Sequence, residues 1–91
     1  MPELSKMIRE YLRKRGIEEP QTVEVSEYFW TVGRNRIWEA SITVEGVPNA
    51  STCEALGEYL AKKTRTKLKS TPIFVSAGTI RPSSCWIRLE K

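Results

Sequence analysis

The sequence predicts an α+β fold in which two helices pack on one face of a four-stranded antiparallel sheet, in the order α-β-β-α-β-β. Three observations predict it. Apolar residues recur at helical spacing over Leu4–Leu12 and again from Ala55 to Leu60; Thr22–Glu45 is a run of β-branched and aromatic residues broken by one turn; and a second such run, from Pro72 to Leu89, is broken around Pro82. The 91 residues suffice for one compact domain, 1–91, with no internal repeat, linker or low-complexity run to divide it.

The first helix rests on Leu4, Met7, Ile8, Tyr11 and Leu12, the i, i+3, i+4, i+7, i+8 spacing of an amphipathic face. Pro2 and Glu3 precede it, and Lys6, Arg9, Glu10 and Arg13 form the opposite face. The helix is expected to stop at Lys14–Arg15, with Gly16 as a left-handed cap. Basic residues at a helix C-terminus offset its dipole by about 0.3–1 kcal/mol each, so this group needs no ligand to explain it.

After a connector, Ile17–Gln21, two strands are expected over Thr22–Val32 and Ile37–Glu45, with Gly33–Arg36 as the turn. Strand side chains alternate between sheet faces, so Tyr28, Phe29, Trp30 and Trp38 cannot all enter one core. With Arg34 and Asn35 as the central pair, Val32 faces Ile37 and Trp30 faces Glu39. One face then receives Val23, Val25, Phe29, Trp38, Ala40, Ile42 and Val44, an apolar set suited to the core. The other receives Ser26, Tyr28, Trp30, Val32, Ile37, Glu39, Ser41 and Thr43, and a slip of one residue would exchange the two sets.

Gly46–Asn49 reads as a turn, and Ser51 with Glu54 as a capping box ahead of Ala55, Leu56, Tyr59 and Leu60. The apolar stripe could run on to Leu68, although Thr64 and Thr66 weaken its end. Lys62, Lys63, Arg65, Lys67 and Lys69 crowd this end beyond what the dipole requires, and an anionic partner would relieve their repulsion. Pro72–Ala77 and Ser84–Leu89 make the second hairpin, with Cys85, Ile87 and Leu89 on one face and Trp86 and Arg88 on the other.

Composition narrows the chemistry. Lys and Arg number 15 against 11 acids, a net charge of +4, and the sequence contains neither His nor Asp. Ser-His-Asp triads, Cys-His pairs, His-rich metal sites and EF-hand loops are therefore excluded, and the chain is expected to be non-enzymatic and without a cofactor or metal. Cys53 and Cys85 form no C-x-x-C pair and read as two buried thiols. Without a secretory signal region or a bilayer-length apolar run, the expectation is a soluble chain in the reducing cytoplasm, with no membrane partner. Asn49-Ala50-Ser51 matches a glycosylation sequon, a tripeptide that arises readily by chance.

An open sheet face bearing Tyr28, Trp30 and Trp86, with Arg34, Arg36 and Arg88 at its rim, follows the general design by which sheet proteins stack bases. The expected function is nucleic-acid binding, RNA before DNA, with single-stranded and double-stranded RNA both open. Tyr28 and Trp30 would stack; Arg34, Arg36 and Arg88 would hold phosphates near the sheet, and Lys62, Lys63, Arg65 and Lys67 would track the backbone. The element order resembles that of double-stranded RNA-binding domains, which begin with a helix, continue with strands and close with a helix. There the lysines begin the second helix, whereas here that position reads Ser51, Thr52, Cys53, Glu54, and a further hairpin follows. No RNP-type aromatic signature or GXXG loop is present, so the resemblance is one of order alone. Exposed Trp, Tyr and Arg are equally the residues of protein interfaces, which makes a regulatory interaction module, homodimeric through the open sheet face, the alternative.

Overall fold

The structure, a computed structural model, describes residues 3–18, 20 and 22–91. Helix α1 spans Leu4–Lys14 and buries Leu4, Ile8, Tyr11 and Leu12, the face expected from their spacing. It ends in a Schellman arrangement: the Ile17 N–H reaches the Leu12 carbonyl and the Gly16 N–H that of Arg13, each at 3.0 Å, while Gly16 takes φ +76°. Pro2, Glu19 and Gln21 lie outside the described residues.

Strands β1, Thr22–Val32, and β2, Asn35–Glu45, form the first hairpin. Its turn differs from the expected one. Val32 pairs with Asn35, so Gly33 and Arg34 are the central residues and Trp30 faces Ile37. Gly33 takes φ +63°, and glycine at the first central position suits the two-residue turns whose twist matches that of the strands. A turn centred on Arg34 and Asn35 would have put a side-chain-bearing residue at that position. The correction displaces the partner of each β1 residue by two positions, an even number, so the sorting of faces survives. Val23 and Val25 pack against the core, and Trp38, Ala40, Ile42 and Val44 enter it. Phe29 does not: it is 64% exposed. The hairpin runs on past the helices that cover its base, and from Ser26 to Arg36 every residue is exposed.

Helix α2 spans Ala50–Thr64 and is capped by Asn49, whose side chain accepts from the Thr52 N–H at 2.8 Å. Asn49 therefore takes the place expected of Ser51, and the Ser51–Glu54 box is not the cap. The helix stops four residues before Leu68. Arg65 adopts φ 57°, the Thr66 N–H closes onto the Ala61 carbonyl at 2.9 Å, and Lys67–Leu68 form a short strand, β3. Leu68 completes the apolar stripe from a strand, where its side chain still packs against the core. Gly57 lets the chain after β3 close onto the helix, since a Cβ there would stand 2.6 Å from the Pro72 ring. Strands β4, Ile73–Val75, and β5, Ser84–Glu90, make the second hairpin.

The sheet is antiparallel with five strands rather than four. Its order is β1-β2-β5-β3, and β4 also pairs with β5. Leu68 lies beside Leu89 and Phe74 beside Cys85, so β3 and β4 share one broken edge along the same side of β5. Both helices cover the opposite side from Tyr28, Trp30 and Trp86. One contiguous core lies between, built from Ile8 and Leu12 of α1, Leu56 and Leu60 of α2, and Ile42, Val44, Ile87 and Leu89 of the sheet. Each such side chain contributes about 1.5–3 kcal/mol when fully buried.

The cysteines depart from expectation. Cys53 on the buried face of α2 and Cys85 on the core face of β5 are bonded to each other, with Cα atoms 5.5 Å apart, and no free thiol remains. That separation is ordinary for a disulfide, and packing supplies a proximity that spacing in sequence does not reveal. Among the described residues, no helix is long and apolar enough to cross a membrane.

Candidate nucleic-acid interface

The sheet face turned away from the helices is uncovered. Strand pairing lays it out in rows: Trp30 beside Ile37; Tyr28, Glu39, Glu90 and Lys67; Ser26, Ser41 and Arg88, with Lys69 next to Arg88; Glu24, Thr43, Trp86 and Ile73. Tyr28 is 51% exposed, Trp30 42% and Trp86 48%. Tyr28 and Lys67 end the same row, about 14 Å apart across three strand spacings. Trp86 stands two rows away, about 13 Å along the strands, and belongs to a second patch with Ile73, Val75 and Ile80. A cleft of about 460 Å³ between the β4–β5 loop and Trp86 forms part of this patch, with Ile80 and Arg81 in its wall.

Charge on this face is organised around Glu39, which is buried although it points away from the core. Its carboxylate accepts from Lys69 Nζ at 2.6 Å and lies 3.7 Å from an Arg88 guanidinium nitrogen. Lys67 stands opposite Glu90 in the β3–β5 register. The sheet centre is thus a mixed-charge floor, in which Arg88 is partly committed to Glu39.

The remaining basic residues fall on other surfaces. Arg34 occupies the hairpin tip. Arg36 is opposite Thr31, on the face of Phe29 rather than that of Tyr28 and Trp30, so the two arginines and the outer aromatics do not form one surface as the sequence suggested. Lys62 and Lys63 sit in the last turn of α2 and Arg65 at its end. Lys63 lies on the helix side, 6.0 Å above the Tyr59 ring, while Arg15 stands 4.3 Å above Tyr11, and the two tyrosine rings touch with centroids 4.5 Å apart. This brings the basic ends of both helices together around a cleft that also holds Glu10 and Lys14.

Tyr28, Trp30 and Arg88 lie on the open face as the sequence predicts, whereas Lys67, expected with the basic end of α2, reaches that face from β3, and the roles of Glu39 and Lys69 were not foreseen. Alternation alone puts Glu39 on the outer face. Its burial depends on Lys69, which reaches it only because α2 stops early and the chain enters β3. The paired tyrosines were each legible as members of apolar helix stripes, but their contact depends on how the helices dock. Among the described residues, no group of three or more acids and cysteines is placed to hold a metal ion. No protein-family model, curated protein or solved structure matches this chain.

Proposed function

We propose that the chain is a non-enzymatic nucleic-acid-binding protein, RNA favoured over DNA, that stacks bases on Tyr28 and Trp30 and holds phosphates with the cations around them. The uncovered sheet face carries this reading, because two half-exposed aromatic side chains lie side by side there with Lys67 at the far end of the Tyr28 row. Each stacked base contributes about 1–3 kcal/mol. Arg34 meets phosphate at the hairpin tip and Arg88 at the centre, in competition with Glu39. Lys62, Lys63 and Arg65 continue the basic track from Lys67 round the sheet edge, and Arg36 serves a strand that wraps the tip. A flat sheet favours unpaired RNA bases, and neither helix stands out as an element for a DNA groove.

The non-enzymatic part of this reading is supported by the residue types present. Without His or Asp, nucleophilic catalysis would fall first on cysteine, and both cysteines are bonded to each other. The cytoplasm remains the proposed compartment on the strength of an RNA partner. The Cys53–Cys85 bridge is an argument for a more oxidising one, and trapping of thiols in cell fractions decides between them.

A mobility-shift assay with single-stranded and duplex RNA and DNA at two salt concentrations tests the function. Single-stranded RNA is expected to be retained at low salt and released steeply as salt rises; no retention of any of the four at low salt contradicts the proposal. A second reading, self-association through the open face, is favoured by the exposed apolar patch of Ile73, Val75, Ile80 and Trp86. If Trp30→Ala leaves retention intact but converts a dimer to a monomer, Trp30 belongs to an interface between copies and not to the RNA site.

A further inference from the structure

The first hairpin has an unused edge. β1 ends the sheet order, and among the described residues no backbone hydrogen bond joins its outer side to any other element. Val32 and Asn35 close the two-residue turn. Ladder alternation therefore directs the N–H and C=O groups of Val32, Trp30 and Tyr28 at β2, and those of Thr31, Phe29 and Glu27 outward. Edge strands of this length are normally blunted by charged side chains, lysine above all, by proline or by a bulge, and the only charges in β1 are Glu24 and Glu27. β1 contains neither lysine nor proline, and its pairing with β2 is unbroken from Thr22 to Val32.

The exposed half of the hairpin is also a two-stranded ribbon with aromatic residues on both sides: Tyr28 and Trp30 on one, Phe29 on the other. A two-stranded ribbon is marginal in water, and additional strands make it stable. We infer that β1 pairs antiparallel with β1 of a second copy, about a two-fold axis at Phe29, and joins two chains into one continuous sheet.

The sequence of β1 selects this occupant and this register. A two-fold axis perpendicular to the sheet keeps equivalent faces together, so each residue must meet one of its own parity. Centring on Glu27 would oppose two like charges. Centring on Tyr28 would set Glu27 against Phe29 and Glu24 against Val32. Centring on Phe29 sets Trp30 against Tyr28 of the second copy twice, Glu27 against Thr31 and Val32 against Ser26, and brings each Arg34 turn beside Glu24 of the other chain. Aromatic cross-strand pairs and opposite charges are the combinations that stabilise a sheet. The uncovered face stays open, and its two Tyr28–Trp30 clusters merge into one central aromatic platform. This pairing does not depend on nucleic-acid binding.

Light scattering of the full chain over a concentration series tests it, read together with the Phe29→Pro and Phe29→Cys variants. The expected mass is twice the 10.4 kDa of the chain. Phe29→Pro removes an outward donor without removing a bond to β2, and is expected to return the monomer with an unchanged circular dichroism spectrum. Phe29→Cys is expected to cross-link two chains on mild oxidation, in greater yield than Glu27→Cys. Should Phe29→Pro fail to fold, hydrogen exchange in the unaltered chain supplies the same information: the Glu27, Phe29 and Thr31 amides are expected to be protected in the dimer. A monomer throughout the series overturns the proposal. So does a dimer in which those amides exchange freely, or one that Trp86→Ala dissociates and Phe29→Pro does not. Preferential cross-linking through Glu27→Cys overturns the register. RNA retention by a strict monomer would reject the dimer and leave the binding function standing.

Discussion

Phe29 and Trp38 stand directly opposite each other in the first hairpin, yet Trp38 is 4% exposed and Phe29 64%. Parity assigns both to the helix side, but only Trp38 lies within the ground that the helices cover. Truncation should separate them: Trp38→Ala is expected to destabilise the fold by about 3–5 kcal/mol and Phe29→Ala by less than about 1 kcal/mol, measured by urea denaturation at low protein concentration. Among the described residues the buried indole Nε1 of Trp38 has no hydrogen-bond partner, an omission worth about 1–3 kcal/mol. Trp38→Phe, which removes that donor and keeps an aromatic ring, should therefore cost much less than Trp38→Ala. Glu39 presents the converse case, a carboxylate buried on the open face and answered by Lys69. Glu39→Gln is expected to lower stability by about 1–3 kcal/mol while releasing Lys69 and Arg88 for phosphate. Single-stranded RNA should then bind several-fold more tightly in the mobility-shift assay.

The elements were legible in the sequence wherever a pattern repeated over several residues. The stripe of α1 and the alternation of β2 located their cores without help from the rest of the chain. Where one or two residues decided the outcome, the reading failed. Gly33 moved the turn by one position, Asn49 displaced Ser51 as the cap of α2, and Arg65, in a conformation that L-residues seldom adopt, ended that helix and opened β3. The disulfide depended on α2 and β5 meeting, which no local pattern encodes. Arg65→Gly should hold or raise stability by up to about 1 kcal/mol, because glycine adopts the same conformation without the steric penalty. It should also reduce the salt dependence of RNA binding by about one phosphate contact. Charge removal and damage to the fold are thereby separated in one variant. The bridge closes a loop across 32 residues of sequence, and replacing both cysteines with alanine is expected to cost about 2–4 kcal/mol, seen as a lower Tm that reducing agent no longer changes.

Across the whole molecule, the chemistry divides between two layers. The helix side carries the tyrosine pair with Arg15 and Lys63, and the sheet side carries Tyr28, Trp30 and Trp86 over a floor of paired charges. Binding by the sheet face and binding by the helix-side cleft would both depend on salt, so affinity alone does not distinguish them. A short single-stranded RNA titrated into isotopically labelled protein and followed by two-dimensional NMR does. The indole signal of Trp30 and the amides of residues 26–32 and of Lys67 and Arg88 are expected to shift, while the buried Trp38 indole stays in place. Shifts confined to Tyr11, Lys14, Arg15, Tyr59 and Lys63, or no shifts at low salt, would contradict binding by the open sheet.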